Sequence, residues 1–135
     1  AIETGGPLRV VEDQIGSPTW SVSLARAILE VAVRPAAGVV HFANHGAVSW
    51  FDFAKAIVAF AAPGVEVLPI KSAELGRPAP RPAFSVLDTS RFEEIAGRRP
   101  LGWQEALGLY LSGALDEPSP GPRAPAMRNQ GGEGR

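Results

Sequence analysis

The side chains that could do chemistry in this chain are few, and they stand without the companions that chemistry needs. His41 lies inside the apolar run GVVHFAN and His45 follows it. A metal site wants further ligands, and neither an H-x-x-x-H pair nor an acidic companion accompanies these two, so packing and turn roles suit them better. There is no cysteine, which removes disulfides, thiolate ligands and cysteine nucleophiles together. No serine sits in a G-x-S-x-G elbow; Ser17 in GSP comes nearest, and Pro18 beside it speaks against a nucleophile. The only tyrosine, Tyr110, has Ala114 rather than lysine four residues on. No Gly-rich turn of the dinucleotide or P-loop kind is present either. The residues thus encode no self-contained catalytic constellation, and no metal ligands are assigned.

Two stretches have the composition of binding segments. In the first, DQIGSPT, Gln14 can donate and accept, Gly16 lets the backbone come close, and Thr19 precedes a helix whose free amides carry partial positive charge. Ligands of α/β proteins gather beyond the carboxyl ends of strands, where this loop should lie. The plainer reading is a strand–turn–helix connection in which Asp13 and Thr19 satisfy backbone groups. In the second, RPAPRPAFSVLD, Arg77 and Arg81 sit in a proline-stiffened segment. Arginine offers a planar, permanently charged fork for phosphate, and stiffness lowers the cost of ordering on binding. The plainer reading there is a polyproline-like linker with solvated arginines.

The elements that would position these stretches follow from periodicity. Residues 8–11, LRVV, read as a strand, and a helix is expected from the Thr19 N-cap to Pro35, with Leu24, Ile28, Val31 and Ala32 on one side. Residues 38–44 read as a second strand, turned by His45-Gly46. Ser49 and Asp52 form a weak capping box ahead of a helix bearing Trp50, Phe53, Ala54, Ile57, Val58 and Ala61, stopped by Pro63-Gly64. Residues 65–70 form a third strand, at an edge because Pro69 lacks a donor. Residues 71–84 hold three prolines and are expected to be irregular; SVL is briefly extended. Asp88 caps a short helix with Phe92 and Ile95, and WQEALGLYLSGAL forms the last helix. The order β-α-β-α-β-loop-α-α favours an α/β or α+β fold with a small sheet and about four helices. Trp50, Phe53, Phe92 and Trp103 are expected in the core.

Bulk properties narrow the partners. The chain has 135 residues, 45% of them hydrophobic, enough for one domain with a packed core. Thirteen Lys plus Arg face 14 Asp plus Glu, so neither nucleic acid nor an anionic membrane is expected. No apolar run nears the roughly 20 residues that span a bilayer. The lack of cysteine fits a reducing, cytoplasmic setting. AIETGG resembles the last turn of a helix, with Gly5 and Gly6 as its stop, so the chain reads as a fragment. Residues 117–135 are rich in Pro and Gly and are expected to be disordered.

Taken in order, VVEDQIGSPT, LARAIL, GVVHFANHGAVSWFDFAKAI, RPAPRPAFSVLDTSRF and GWQEAL resemble the C-terminal half of dTDP-4-dehydrorhamnose reductase, of the extended short-chain dehydrogenase/reductase superfamily. The likeness covers about residues 5–115. D-Q-x-G-x-P-T, G-x-x-H-x-x-N-x-G-x-x-S-W-x-x-F-A and A-x-R-P-x-x-S-x-L-D are specific together and weak singly.

The resemblance implies a C-terminal substrate-binding lobe at 1–116, with the N-terminal Rossmann domain missing. It implies an enzyme that reduces the C4 ketone of dTDP-4-dehydro-L-rhamnose with NADPH or NADH, giving dTDP-L-rhamnose. The Gly-rich turn and the Tyr-x-x-x-Lys pair would precede residue 1, so this chain alone should be inactive. Substrate contacts carried over are Arg81 first, then Gln14, with Asp13, Gly16, Thr19 and Ser85. Some members bridge subunits through a divalent cation, which leaves room for Mg2+ and a homodimer, although no residue here identifies such a site. Two alternatives stand: a non-catalytic regulatory relative of the methionine adenosyltransferase-subunit type, and another sugar-nucleotide epimerase or dehydratase. The S-W-x-x-F-A and R-P-x-x-S stretches speak against the latter.

Overall fold

The computed structural model describes residues 6–114; the expected helical turn at the N-terminus and the expected disorder of 117–135 lie outside them. β-Branched residues in LRVV form strand β1 (Leu8–Val11), which pairs in parallel with β4 (Val67–Ile70). Leu8 stands opposite Val67 and Val11 opposite Ile70. Pro69, which has no amide to give, is tolerated because this sheet has two strands and β4 is an edge. A second pair is antiparallel: β2 (Ile15–Gly16) against β3 (Val48–Ser49).

Four helices complete the described chain: α1 (Ser21–Ala32), α2 (Trp50–Ala61), α3 (Ser90–Ala96) and α4 (Trp103–Leu111). The capping box before α2 forms as expected. Ser49 Oγ accepts from the Asp52 amide at 3.0 Å and donates to the Asp52 carboxylate at 2.7 Å. A 3-10 turn at Ser72–Leu75 breaks the expectation of an irregular 71–84. Its αL glycine, Gly76, and the prolines after it prevent the turn from extending.

The core has two parts. Val58 of α2 lies with Val11 and Ile70 of the β1–β4 sheet, and α2 continues onto α4, where Phe53 and Trp103 meet edge to face at 5.8 Å. Phe92 of α3 is fully buried and meets Phe42 edge to face at 4.8 Å, near the buried Ala27 and Ala43. The Arg98 guanidinium covers the Phe92 ring at 5.4 Å and pairs with Glu30 of α1 at 3.0 Å.

Further expectations fail. Residues 38–44 form no strand, because no described strand offers them a backbone partner. Thr19 does not cap α1: Trp20 is the N-cap, and the Asn44 side chain accepts from its amide at 2.7 Å. Asp88 precedes the N-cap of α3, which is Thr89, and accepts from the Ser90 amide at 2.9 Å. Finally, Trp50 is exposed rather than core, and α1 turns Leu24 and Ile28 outward while burying Ser23 and Ala27.

Candidate functional site

The loop from Glu12 to Thr19 is clamped from three sides. Asp13 accepts from the Ser72 amide at 3.0 Å through each carboxylate oxygen and from the Ser72 hydroxyl at 2.7 Å. Those bonds hold the Asp13 carboxyl below its usual value of 3.8. Gln14 is buried, and its Nε2 donates to the same Ser72 hydroxyl oxygen at 2.7 Å. Beside them Lys71 pairs with Glu12 at 2.9 Å, and that hydrogen bond and charge raise the lysine above its usual 10.5.

The second clamp is backbone. Ile15 pairs with Ser49 on one edge, and on the other its amide donates to Ala83 O at 2.8 Å while its carbonyl accepts from the Ser85 amide at 2.9 Å. Residues 15–16 are therefore the middle rung between β3 and the segment 83–85, which bridges at Phe84. Gly16 packs closely here: a Cβ on it would stand 3.2 Å from the Ser85 hydroxyl, which would have to give by a few tenths of an ångström. Ser85 Oγ itself donates to Ile15 O at 3.2 Å.

The third clamp holds the end of the loop. Thr19 Oγ1 donates to Ser17 O at 3.1 Å and accepts from the Asn44 amide at 3.3 Å. Asn44 is almost fully buried; its Nδ2 donates to Ser23 Oγ at 3.2 Å and to Leu101 O at 3.1 Å. One side chain thus joins the start of α1, the segment after 38 and the approach to α4.

The residues singled out from sequence therefore fall into three groups. Asp13 and Gln14 converge on Ser72, Gly16 and Ser85 touch each other, and Thr19 belongs with Asn44. Arg81 is exposed and, like Arg77, makes no hydrogen bond or ion pair among the described residues. Ser72 and Asn44 were missed. Their signals were weak: a serine two residues past a strand, and a lone amide closing an apolar run.

Grooves flank this framework. One of about 560 Å³ is lined by Glu12, Ile15, Ser49, Phe51, Asp52 and Phe84. Another, of about 390 Å³, is lined by polar groups that include Ser17, His45, Asp88, Ser90 and Arg99. In Asp88 the Ser90 amide and hydroxyl lower the carboxyl below its usual value. Such surfaces can bind and orient a polar molecule with an aromatic part. They hold no nucleophile–base pair.

The described residues do not fit a dinucleotide. The β1–α1 connection is filled by β2, and the amide of the α1 N-cap, Trp20, is taken by Asn44. No group of three or more His, Cys, Asp or Glu able to hold a cation occurs among them either. No described helix is long and apolar enough to cross a membrane.

The description "RmlD substrate binding domain" belongs to a family model that matches residues 1–115. The chain is a member of that family. A spore coat polysaccharide biosynthesis protein, SpsK of Bacillus subtilis, is 45% identical over 81% of the chain. A dTDP-4-dehydrorhamnose reductase of Mycobacterium tuberculosis is 40% identical over 92% of it. Among solved structures, a dTDP-4-dehydrorhamnose reductase of Bacillus anthracis in complex with NADP superposes with a TM-score of 0.78, at 32% identity over 84% of the chain. One from Clostridium acetobutylicum gives 0.76 at 37% identity. This RmlD-type domain spans about two fifths of the length of these relatives, 38% and 41% for the two proteins and 40% for each structure. Its small mixed α/β architecture is the one those structures share.

Proposed function

We propose that residues 1–116 are the sugar-nucleotide-binding lobe of a dTDP-4-dehydrorhamnose reductase. The whole enzyme would reduce the C4 ketone of dTDP-4-dehydro-L-rhamnose with NADPH or NADH held by a dinucleotide domain outside this lobe. The observation that carries the reading is a contrast within one framework. The loop 12–19 is clamped by Ser72, Asn44 and the 83–85 segment, while Arg81, next to that segment, has no partner among the described residues. A free guanidinium on a proline-stiffened segment beside a braced loop is a ready anchor for a diphosphate. Exposed Phe84 nearby offers an aromatic face for a base.

On this reading the lobe's own residues bind and orient; they move no proton and no hydride. Asp13 and Gln14 support that loop through Ser72, and Arg81 meets the ligand. Gly16, Thr19 and Ser85 act by keeping the loop and the 83–85 segment in register. A cytoplasmic setting suits an enzyme of nucleotide-sugar metabolism.

The test is Arg81→Ala in a protein where this lobe follows a dinucleotide domain. A charge-assisted contact of about 1.5–3 kcal/mol should be lost, weakening dTDP binding by roughly tenfold to a hundredfold in calorimetry. NADPH affinity should hold. An unchanged Kd for dTDP would remove Arg81 from the site.

A further inference from the structure

Where α2, α4 and the start of α1 meet, the surface sinks into an apolar groove of about 470 Å³. It adjoins the clamped loop only at Pro18 and Thr19 and shares no wall with the two polar grooves. Its own walls are aromatic and aliphatic. Trp20 comes from the N-cap of α1, Trp50 and Phe53 from the first turn of α2, and Leu107, Tyr110 and Leu111 from the last turns of α4. Residues 50 and 53 are about one turn apart, as are 107, 110 and 111, so each helix turns one stripe toward the groove. Trp50 and Phe53 meet edge to face at 6.1 Å, which sets the Trp50 ring against its neighbour. Even so, Trp50 is 46% exposed and Tyr110 62%. Adjacent large rings left this open mark an interaction surface.

A second observation lies at the end of α4. The helix closes in a Schellman motif: the Gly113 amide donates to Tyr110 O at 3.1 Å and the Ala114 amide to Leu109 O at 3.0 Å, with Gly113 at φ +77°. That turn takes the chain off the helix axis beside Tyr110 and Leu111. The sequence continues LDEPSPGPRAPAM, residues 115–127, outside the described residues. It carries Pro118, Pro120, Pro122 and Pro125, the last two in P-x-x-P spacing. Aromatic-lined grooves take such segments, because a chain already stiffened by proline loses little entropy on binding. The lengths agree. Residues 115–117 separate Ala114 from Pro118, and at up to about 3.6 Å each they reach back over the last turn of α4. In polyproline form 118–125 would span about 25 Å, against about 9 Å for the α4 stripe from 106 to 111.

We propose that this groove is the docking site of the chain's own proline-rich segment, with the P-x-x-P residues 122–125 against Trp20, Trp50 and Tyr110. Tethering supplies the affinity. A segment on a short linker meets its site at an effective concentration of about millimolar, so a contact too weak to hold a free peptide still closes within one chain. The inference does not depend on the sugar-nucleotide reading, since none of these three rings is a proposed ligand contact.

The chain has no cysteine, so Ala126→Cys gives a single attachment point for a nitroxide in the full chain. Paramagnetic broadening is then read at the Trp20 and Trp50 indole N–H signals, which lie on elements other than α4. Both should broaden strongly. Pro122→Gly with Pro125→Gly should reduce that broadening several-fold, because glycine removes both the rings and the stiffness. The double variant changes no described residue, so an unaltered spectrum elsewhere separates undocking from misfolding. Trp50→Ala should lower the broadening at Trp20 in the same way. Equal broadening in the proline variant, or none in either chain, would overturn the inference. So would broadening that disappears when the labelled chain is diluted into an excess of unlabelled, isotopically unenriched chain, since the occupant would then be the segment of a second copy.

Discussion

At the scale of single residues, the loop that looks most like a ligand contact is mostly a brace. Asp13, which could have faced a sugar, faces Ser72, and its lowered pKa has that cause first. The sign follows. A carboxyl whose folded pKa lies below its unfolded value of 3.8 contributes stability above that value and loses it as pH falls through the lowered one. Asp13→Asn should therefore flatten the acid side of the stability-against-pH curve below about pH 4, while Ser72→Ala should both lower Tm at pH 7 and shift acid unfolding to higher pH. Urea titrations from pH 2 to 7 would show it, and unchanged acid limbs would deny the brace. Lys71 works in the opposite sense: its raised pKa adds stability below 10.5 that is lost as pH rises through the higher folded value. The brace was half legible in the sequence. Aspartate and glutamine in a loop announced polar work, but their partner lies about sixty residues away, and only the fold brings it there.

Among the elements, α2 was legible because its start is local: Ser49 and Asp52 are three residues apart and satisfy each other. The start of α1 was not, because its cap comes from Asn44, 24 residues on. Asn44→Ala should leave the Trp20 amide without its acceptor, costing about 1–3 kcal/mol, while the Leu101 carbonyl keeps the His45 amide. A fall in Tm of several degrees by calorimetry is expected, and a loss under 0.5 kcal/mol would contradict the cap. The turn at Gly46 offers a sharper case. Its φ is +102°, and a Cβ there would stand 2.9 Å from Trp103 Cδ1. Gly46→Ala should cost at least about 1–2 kcal/mol from backbone strain alone, before the ring must move. Denaturant midpoints with unchanged m-values would confirm it. The apolar run at 38–44 shows the limit of periodicity. Strand composition states a preference for pairing, and pairing needs a neighbour that composition does not supply.

For the whole molecule, the division of labour sets the expectation. The chain's one tyrosine has no lysine partner, and the dinucleotide turn is missing from its sequence. Residues 1–135 alone should give no oxidation of NADPH with a dTDP-4-keto-sugar, whereas the lobe joined to a dinucleotide domain should turn over; steady-state absorbance at 340 nm distinguishes the two, and turnover by the chain alone would refute the partition. The fold class was readable from the alternation of strands and helices, and family membership from several motifs in order. What escaped was which side of α1 faces inward: Leu24 and Ile28 share an apolar stripe, yet the helix buries Ser23 and Ala27. The parallel pairing of β1 with β4 has a consequence of its own. Leu8 meets a partner encoded about sixty codons later. On a ribosome adding 5–20 residues per second, β1 would wait roughly 3–12 s beyond its own synthesis before it could be paired. Nascent copies therefore pass through a window in which an apolar strand is bare, and slow translation between these two points should make the polypeptide a customer of chaperones.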